Sequence, residues 1–320
     1  MNSNSQVPSV NISQQGDSLD EIVSKFATSV DGLKTINNLT NDILDLDQLL
    51  QIPIPTLPDG AYSKSNTGPA VKTLQSILVS YGFNLSVDGI YGSKTAGVII
   101  QLQQKFPPIK VDGIYGPQTK ASLQTLIDTH FHLVAHPTDK LVLVNRVNGL
   151  PAEYVPPDLV VVTVPFTFQE YDPKKQMRKE AALALEQLFS TAKQNNLSLM
   201  AVSGYRSYER QAQIYARNIQ ISPTKAQFSA PPGSSEHQTG LAIDVSSASN
   251  NYQLSQSFAA TPEGQWLAQT APAFGYIIRY QVGKETITGY QAEPWHLRYV
   301  GIGVAQIITQ QGLTLEEYLQ

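Results

Sequence analysis

The chain has 320 residues, 41% of them hydrophobic and 15% charged, which excludes disorder driven by low hydrophobicity and high net charge. Lys+Arg 22 against Asp+Glu 26 leaves a formal charge of -4 with no block of like charges, which argues against a general binder of nucleic acid or of acidic membranes. With Cys 0, disulfides, thiolate metal sites and cysteine nucleophiles are out, so any metal must be held by His, Asp or Glu. The first twenty residues carry neither the basic nor the apolar region of a secretory signal, and the stretch 159–166 is broken by Thr163 and Pro165, short of the ~20 residues of a membrane span.

In chain order, Ser18 and Glu21 stand three apart just before Ile22, a capping-box spacing that predicts a helix with Leu19, Ile22, Val23 and Phe26 on one face. A second helical pattern with Val30, Leu33 and Ile36 follows the candidate cap Ser29, and 49–54 reads as a strand stopped by prolines. The result is a small βααβ unit. The segments GDSLDEIVSKFATSVDGLKTINNL and LDQLLQIP resemble a LysM module, a family that binds N-acetylglucosamine-containing glycans, with Asp47 standing where a glycine is common.

The stretch 54–69 is rich in Pro, Ser, Asn and Gly and reads as a linker. Val71, Leu74, Ile77 and Leu78 then predict an amphipathic helix closed by Gly82. An internal repeat follows, VDGIYGSKT at 87–95 and VDGIYGPQT at 111–119, identical at seven of nine positions. Each copy sets an Asp-Gly turn before a helix start at Ser93 or Pro117. The span 68–127 resembles the three-helix peptidoglycan-binding domain that accompanies many cell-wall hydrolases.

From about residue 140 the pattern is α+β with a small, mainly antiparallel sheet. Stretches 141–144 and 159–164 read as extended, and 176–194 reads as a long helix with Met177, Ala181, Ala184, Leu185 and Leu188 on one face. A strand at 199–203 leads through Gly204, Tyr205 and Arg206 to Ser207, which caps a helix ending near Ile219. A loop at 222–235 precedes strands at 241–245 and 296–299, with Thr261 and Pro262 opening a helix between them.

Histidines fall into two groups. His130, His132 and His136 lie in a linker-like stretch ahead of every plausible partner and read as surface residues. His237 precedes Asp244 by seven residues, and Asp244 interrupts an apolar strand, a costly place for a carboxylate unless it is paired or metal-bound. The second histidine sits in Glu293-Pro294-Trp295-His296, where proline and tryptophan exclude a helix and suggest a turn into a strand. Two His and one Asp offer Zn2+ three protein ligands and one open position, the coordination of a hydrolytic zinc, and Glu293 is placed to take a proton as general base.

The stretches SGYRS, SEHQTGLAIDV and EPWHLRYVG resemble VanY-type D-alanyl-D-alanine carboxypeptidases of the zinc D,D-peptidase family, as do LVNRVNGLPAEYVPPDL and MRKEAALALEQLF, so the resemblance covers about 139–308. It implies His237, Asp244 and His296 as zinc ligands, Glu293 as catalytic base, Arg206 as the donor to the developing oxyanion, and Ser235 and Gln211 as substrate-binding residues. Tyr205, Tyr208 and Trp295 read as wall packing.

The expected organisation is a LysM glycan-binding module at 1–56, a linker at 57–67, a peptidoglycan-binding domain at 68–129, a linker at 130–139 and a catalytic domain at 140–320. The leading function is removal of the C-terminal D-alanine from peptidoglycan stem peptides, D,D over L,D. A phage-lysin-like endopeptidase and a non-catalytic wall-binding protein are the alternatives. Peptidoglycan is the expected partner, with no nucleic acid and no membrane, and a monomer acting at the bacterial wall is expected. The absent signal pattern beside wall-binding modules suggests release by lysis or by an injection device.

Overall fold

The computed structural model describes residues 9–12, 18–26, 30–44, 48–52, 56–129, 131–221 and 229–320. The expected cap Ser29, the departure at Asp47, His130 and the loop residues 222–228 lie outside them. The chain forms two compact units, Met1–Leu133 and Val134–Gln320. No helix among the described residues is long and apolar enough to cross a membrane.

The first unit opens with the βααβ order read from the sequence. β1 (Ser9–Ile12) pairs antiparallel with β2 (Leu49–Ile52), and α1 (Leu19–Phe26) and α2 (Val30–Asn37) lie between them in the chain. The capping box forms, with Ser18 N donating to Glu21 Oε2 at 3.1 Å and Glu21 N to Ser18 Oγ at 3.3 Å. Leu19, Ile22, Leu33 and Leu50 make a small core, whereas Ile36, expected on the same face, is exposed. The Asn37 side chain acts as an extra strand partner, accepting from Gln51 N at 2.6 Å and donating to Gln51 O at 2.7 Å.

Three helices follow, α3 (Pro69–Ser80), α4 (Ser93–Lys105) and α5 (Pro117–Asp128). Val71, Leu74, Ile77 and Leu78 are fully buried, as the periodicity demands. In each repeat the glycine takes a positive φ, +74° at Gly89 and +71° at Gly113, so the turn needs a residue without Cβ. The repeats also share a device outside their nine residues. Gln75 and Gln103 are buried one helix upstream, and each amide donates to the turn aspartate, Asp88 or Asp112, and accepts from the turn glycine N–H. A buried amide with both ends satisfied fixes each turn on the preceding helix.

The stretch 57–67 departs from a solvated linker. Leu57 is buried in the helical core, Tyr62 exchanges backbone hydrogen bonds with Tyr115 at 2.8 and 2.9 Å, and Ser65 N donates to Tyr91 O at 3.1 Å while Asn66 O accepts from Tyr91 N at 2.8 Å, so backbone pairing docks a polar segment. Phe131, in the second expected linker, is buried in the same core.

In the second unit, β3 (Leu159–Val161) pairs with β4 (Gln176–Arg178), and α6 (Lys179–Gln194) begins after it. Gln176 and Met177 are therefore strand, not helix: their backbone is spent on the β3 pairing. A four-stranded antiparallel sheet carries the rest, in the order β5 (Leu199–Ser203), β6 (Ala242–Ser247), β8 (Glu293–Tyr299), β7 (Tyr276–Tyr280). Leu185 and Leu188 of α6 pack in one core with Ala201, Ile243, Val245 and Leu297 from the sheet. Ser207 caps α7 (Tyr208–Ile221) through Arg210 N, and Thr261 caps α8 (Pro262–Thr270) through Gly264 N at 3.0 Å. The chain closes with α9 (Ile302–Gln311) and a last turn, Leu315–Tyr318. Residues 141–144 form no strand, since the Lys140 and Val142 carbonyls accept from the buried Arg298 guanidinium instead of a neighbouring strand.

Candidate active site and metal centre

Register places the site. In the β6–β8 ladder His296 lies directly opposite Asp244, and in the β5–β6 ladder Ser203 faces Asp244 from the other side. Thus three strands bring a histidine, a carboxylate and the start of the Arg206 loop to one point. His237 arrives from a single 3-10 turn, Glu236–Thr239, stopped by Gly240 at φ +67°, where a Cβ would fall 2.9 Å from Leu159 Cδ2. That turn is tied to the Arg206 loop by Arg206 N donating to His237 O at 3.2 Å and by His237 Nδ1 meeting Gly204 O at 2.8 Å. β8 already begins at Glu293, so the expected turn before His296 is strand, with a register shift between Glu293 and Leu297 that absorbs the proline.

Asp244 is 4% exposed, with Oδ2 3.2 Å from His237 Nε2 and Oδ1 3.0 Å from His296 Nδ1. Burial pushes its carboxyl up, and the two histidines overcome this and hold it well below the usual carboxylate range. His237 Nδ1, facing a carbonyl, must carry the hydrogen there, which leaves Nε2 as its free lone pair. The two rings stand 4.9 Å apart at 87°, and the candidate ligand atoms of His237, Asp244 and His296 lie within 4.8 Å of one another. Among the described residues this is the one His/Asp/Glu group with metal-holding geometry. Two imidazole nitrogens and one carboxylate oxygen with their lone pairs converging suit zinc. His132 and His136 are exposed and belong to no such group.

Glu293 stands beside the trio, Oε2 3.8 Å from His296 Nδ1. Burial pushes its carboxyl up to about 7; His296 opposes this and Asp244 adds to it. A carboxylate poised there can both take and return a proton near neutral pH. Arg206 donates from Nη1 to Gln211 Oε1 at 2.9 Å and from Nη2 to Ser203 Oγ at 3.2 Å, while Gln211 Nε2 donates to Ala230 O at 2.6 Å. Arg206, Gln211, Ser235, Glu293 and the three candidate ligands all line one cavity of about 360 Å³, together with Ile214, Asn218 and Leu254. Trp295, Tyr280 and Tyr290 also line it, Trp295 packing against the hydrophobic core as well, whereas Tyr205 and Tyr208 are buried and do not line it. Tyr280, whose ring lies 5.0 Å from that of His296, and Tyr290 were not legible as site residues; only their nearness to Glu293 in sequence hinted at it.

Known proteins resemble both parts of the chain. Residues 174–302 match the family VanY, D-alanyl-D-alanine carboxypeptidase, and residues 67–123 match a family described as "Putative peptidoglycan binding domain". The Bacillus subtilis (strain 168) protein "Putative carboxypeptidase YodJ" is 47% identical over 189 residues, 58% of this chain and 69% of that protein. The bifunctional D-Ala-D-Ala dipeptidase and D-Ala-D-Ala carboxypeptidase VanXYC of Enterococcus gallinarum is 36% identical over 184 residues, 56% of this chain and 92% of that protein. The solved structure of the LdcB LD-carboxypeptidase is 46% identical with a TM-score of 0.57, covering 59% of this chain and 89% of that one.

Proposed function

Because the chain belongs to the VanY D-alanyl-D-alanine carboxypeptidase family and is a metallo-carboxypeptidase acting on peptidoglycan peptides, we propose that it is a zinc enzyme releasing the terminal D-alanine of stem peptides ending in D-Ala-D-Ala. The observation that carries this reading is the cavity shared by the His237, Asp244 and His296 trio, the raised Glu293 carboxyl and a braced arginine. Zinc in that trio would act as a Lewis acid on the scissile carbonyl and make a water acidic enough to attack near neutral pH. Glu293 accepts the proton of the attacking water and delivers it to the departing amine. Arg206, held by Gln211 and Ser203, offers charged donors to the oxygen on which negative charge develops. Ser235 and Gln211, which line the same cavity, bind the substrate's end, and a free terminal carboxylate beside the half-buried Arg206 guanidinium is the feature that separates an exopeptidase from an endopeptidase.

A second reading, cleavage of the L,D bond of a tetrapeptide stem, is supported by the likeness to the LdcB LD-carboxypeptidase. The N-terminal unit holds the enzyme on the wall: its three-helix part is a peptidoglycan-binding domain, and its βααβ part is a LysM-like glycan-binding module. Two weak modules on one chain gain by avidity.

The roles separate cleanly in one variant. Glu293→Ala should retain zinc, measured by elemental analysis, and lose most turnover of a D-Ala-D-Ala peptide; zinc lost together with turnover would show that Glu293 is not the base but part of the metal's support.

A further inference from the structure

Glu236, the acid within the Ser-Glu-His motif, has no part in the chemistry above, yet it is 1% exposed. Its Oε1 accepts from Arg279 Nε and from Arg298 Nη1, each at 2.7 Å, and its Oε2 lies 3.4 Å from His296 Nε2. The other two nitrogens of Arg279 bind Glu316 in a bidentate pair at 2.7 and 2.8 Å. Glu316 belongs to the last helical turn, which is fixed by a capping box between Thr314 and Glu317, with Glu317 in turn paired to Lys284 at 2.9 Å. Two carboxylates and two guanidiniums thus form a charge-balanced cluster in which Arg279 and Arg298 are 0% exposed.

The donor count decides what Glu236 can do for His296. Guanidiniums only donate, so with two of them on Oε1 the carboxylate is ionised and Oε2 can only accept. In the neutral, metal-binding form of His296 the hydrogen then sits on Nε2, toward Glu236, and the Nδ1 lone pair is on the Asp244 side, where a metal would take it. The two ligand histidines therefore present opposite nitrogens to the centre, Nε2 from His237 and Nδ1 from His296, each fixed by an acceptor behind it. We propose that Glu236 is a positioning residue for His296, and that Arg279 and Glu316 extend this support so that the last turn of the chain is part of the metal site. The inference rests on His237, Asp244 and His296 being the zinc ligands.

Glu236→Gln tests it sharply. Whichever way the amide turns, its NH2 faces either the two guanidiniums or the His296 Nε2–H, donor against donor. Full-length protein stripped of metal and reloaded should show zinc affinity, by competition with a chromogenic chelator, weakened about 10- to 100-fold. With cobalt(II) in place of zinc, the visible absorption bands should shift. Glu316→Gln, at the far end of the cluster, should weaken zinc several-fold and shift the cobalt bands in the same sense, and melting of the metal-free proteins separates this from general loss of fold. Should Glu236→Gln fail to fold, Glu316→Gln decides alone. Zinc affinity within twofold of the parent and unchanged cobalt bands in the folded variants would overturn the proposal. His237→Ala run alongside distinguishes the two claims: if it keeps zinc, the ligand assignment itself has failed, and if it loses zinc while the Glu236 and Glu316 variants do not, only the positioning role has.

Discussion

Gly204→Ala should damage the metal site although Gly204 touches no substrate. A Cβ on Gly204 would lie 2.6 Å from Gln176 O and 2.9 Å from Lys174 O, so reaching even 3.0 Å from the nearer oxygen needs a 0.4 Å backbone displacement. Those same carbonyls are pinned: Gly204 N donates to Lys174 O at 2.7 Å and Tyr205 N to Gln176 O at 2.8 Å. The strand end must therefore move, and with it Gly204 O, which holds His237 Nδ1 at 2.8 Å. Overpacking of this kind costs about 1–3 kcal/mol, and a weakened hydrogen bond adds about 1 kcal/mol. Since that bond fixes the tautomer of His237, zinc affinity should fall about tenfold or more. Denaturant unfolding followed by tryptophan fluorescence measures the first effect, because Trp266 and Trp295 both lie in the second unit; chelator competition measures the second. A variant within about 0.5 kcal/mol of the parent that also holds zinc equally well would refute the reasoning.

Arg206→Ala should keep zinc and lower kcat/KM by about a hundred- to a thousand-fold, and Arg206→Lys should not rescue it, since one ammonium cannot match the fork held by Gln211 and Ser203; near-parental kinetics in either variant would count against the assignment. Lys105 is buried, and that burial lowers its pKa to about 7 from 10.5. The unfolded chain therefore holds a proton that the folded one lacks between those values, so stability of the first unit should rise from pH 7 to pH 10.5 by a few kcal/mol. Lys105→Met should flatten that dependence; the readout is the transition seen by circular dichroism but not by tryptophan fluorescence, and a pH slope unchanged in the variant would be the contrary result.

Sequence and structure agree where the signal is local. The Ser18–Glu21 capping box, the Asp-Gly turns of the repeat and the Thr261-Pro262 helix start involve residues within a few positions of one another, and each appears with the expected hydrogen bonds. His237, Asp244 and Glu293 with His296 could be singled out because a carboxylate in an apolar strand and a histidine after Pro-Trp break the surrounding patterns. What stayed hidden is held together by distant partners. Glu236 looks like a solvated acid beside a histidine until Arg279 and Arg298 are seen to pair with it. β7, the edge strand that supplies Arg279 and Tyr280, has no motif of its own, and Gln75 and Gln103 sit outside the nine-residue repeat they stabilise. Met177 satisfied a helical period by chance; the pairing with β3 decided its strand.

The central claim is that the cavity reads a free terminal carboxylate and cuts the bond next to it. The direct measurement is mass spectrometry of products formed by the zinc-loaded full chain from two synthetic stem pentapeptides, one ending in free D-Ala-D-Ala and one with the same terminus amidated. The expected result is release of a single D-alanine from the free peptide, little turnover of the amide, and no cut between L-Ala and D-Glu. Equal turnover of both peptides, or a fragment from within the stem, would contradict it and place the enzyme among endopeptidases.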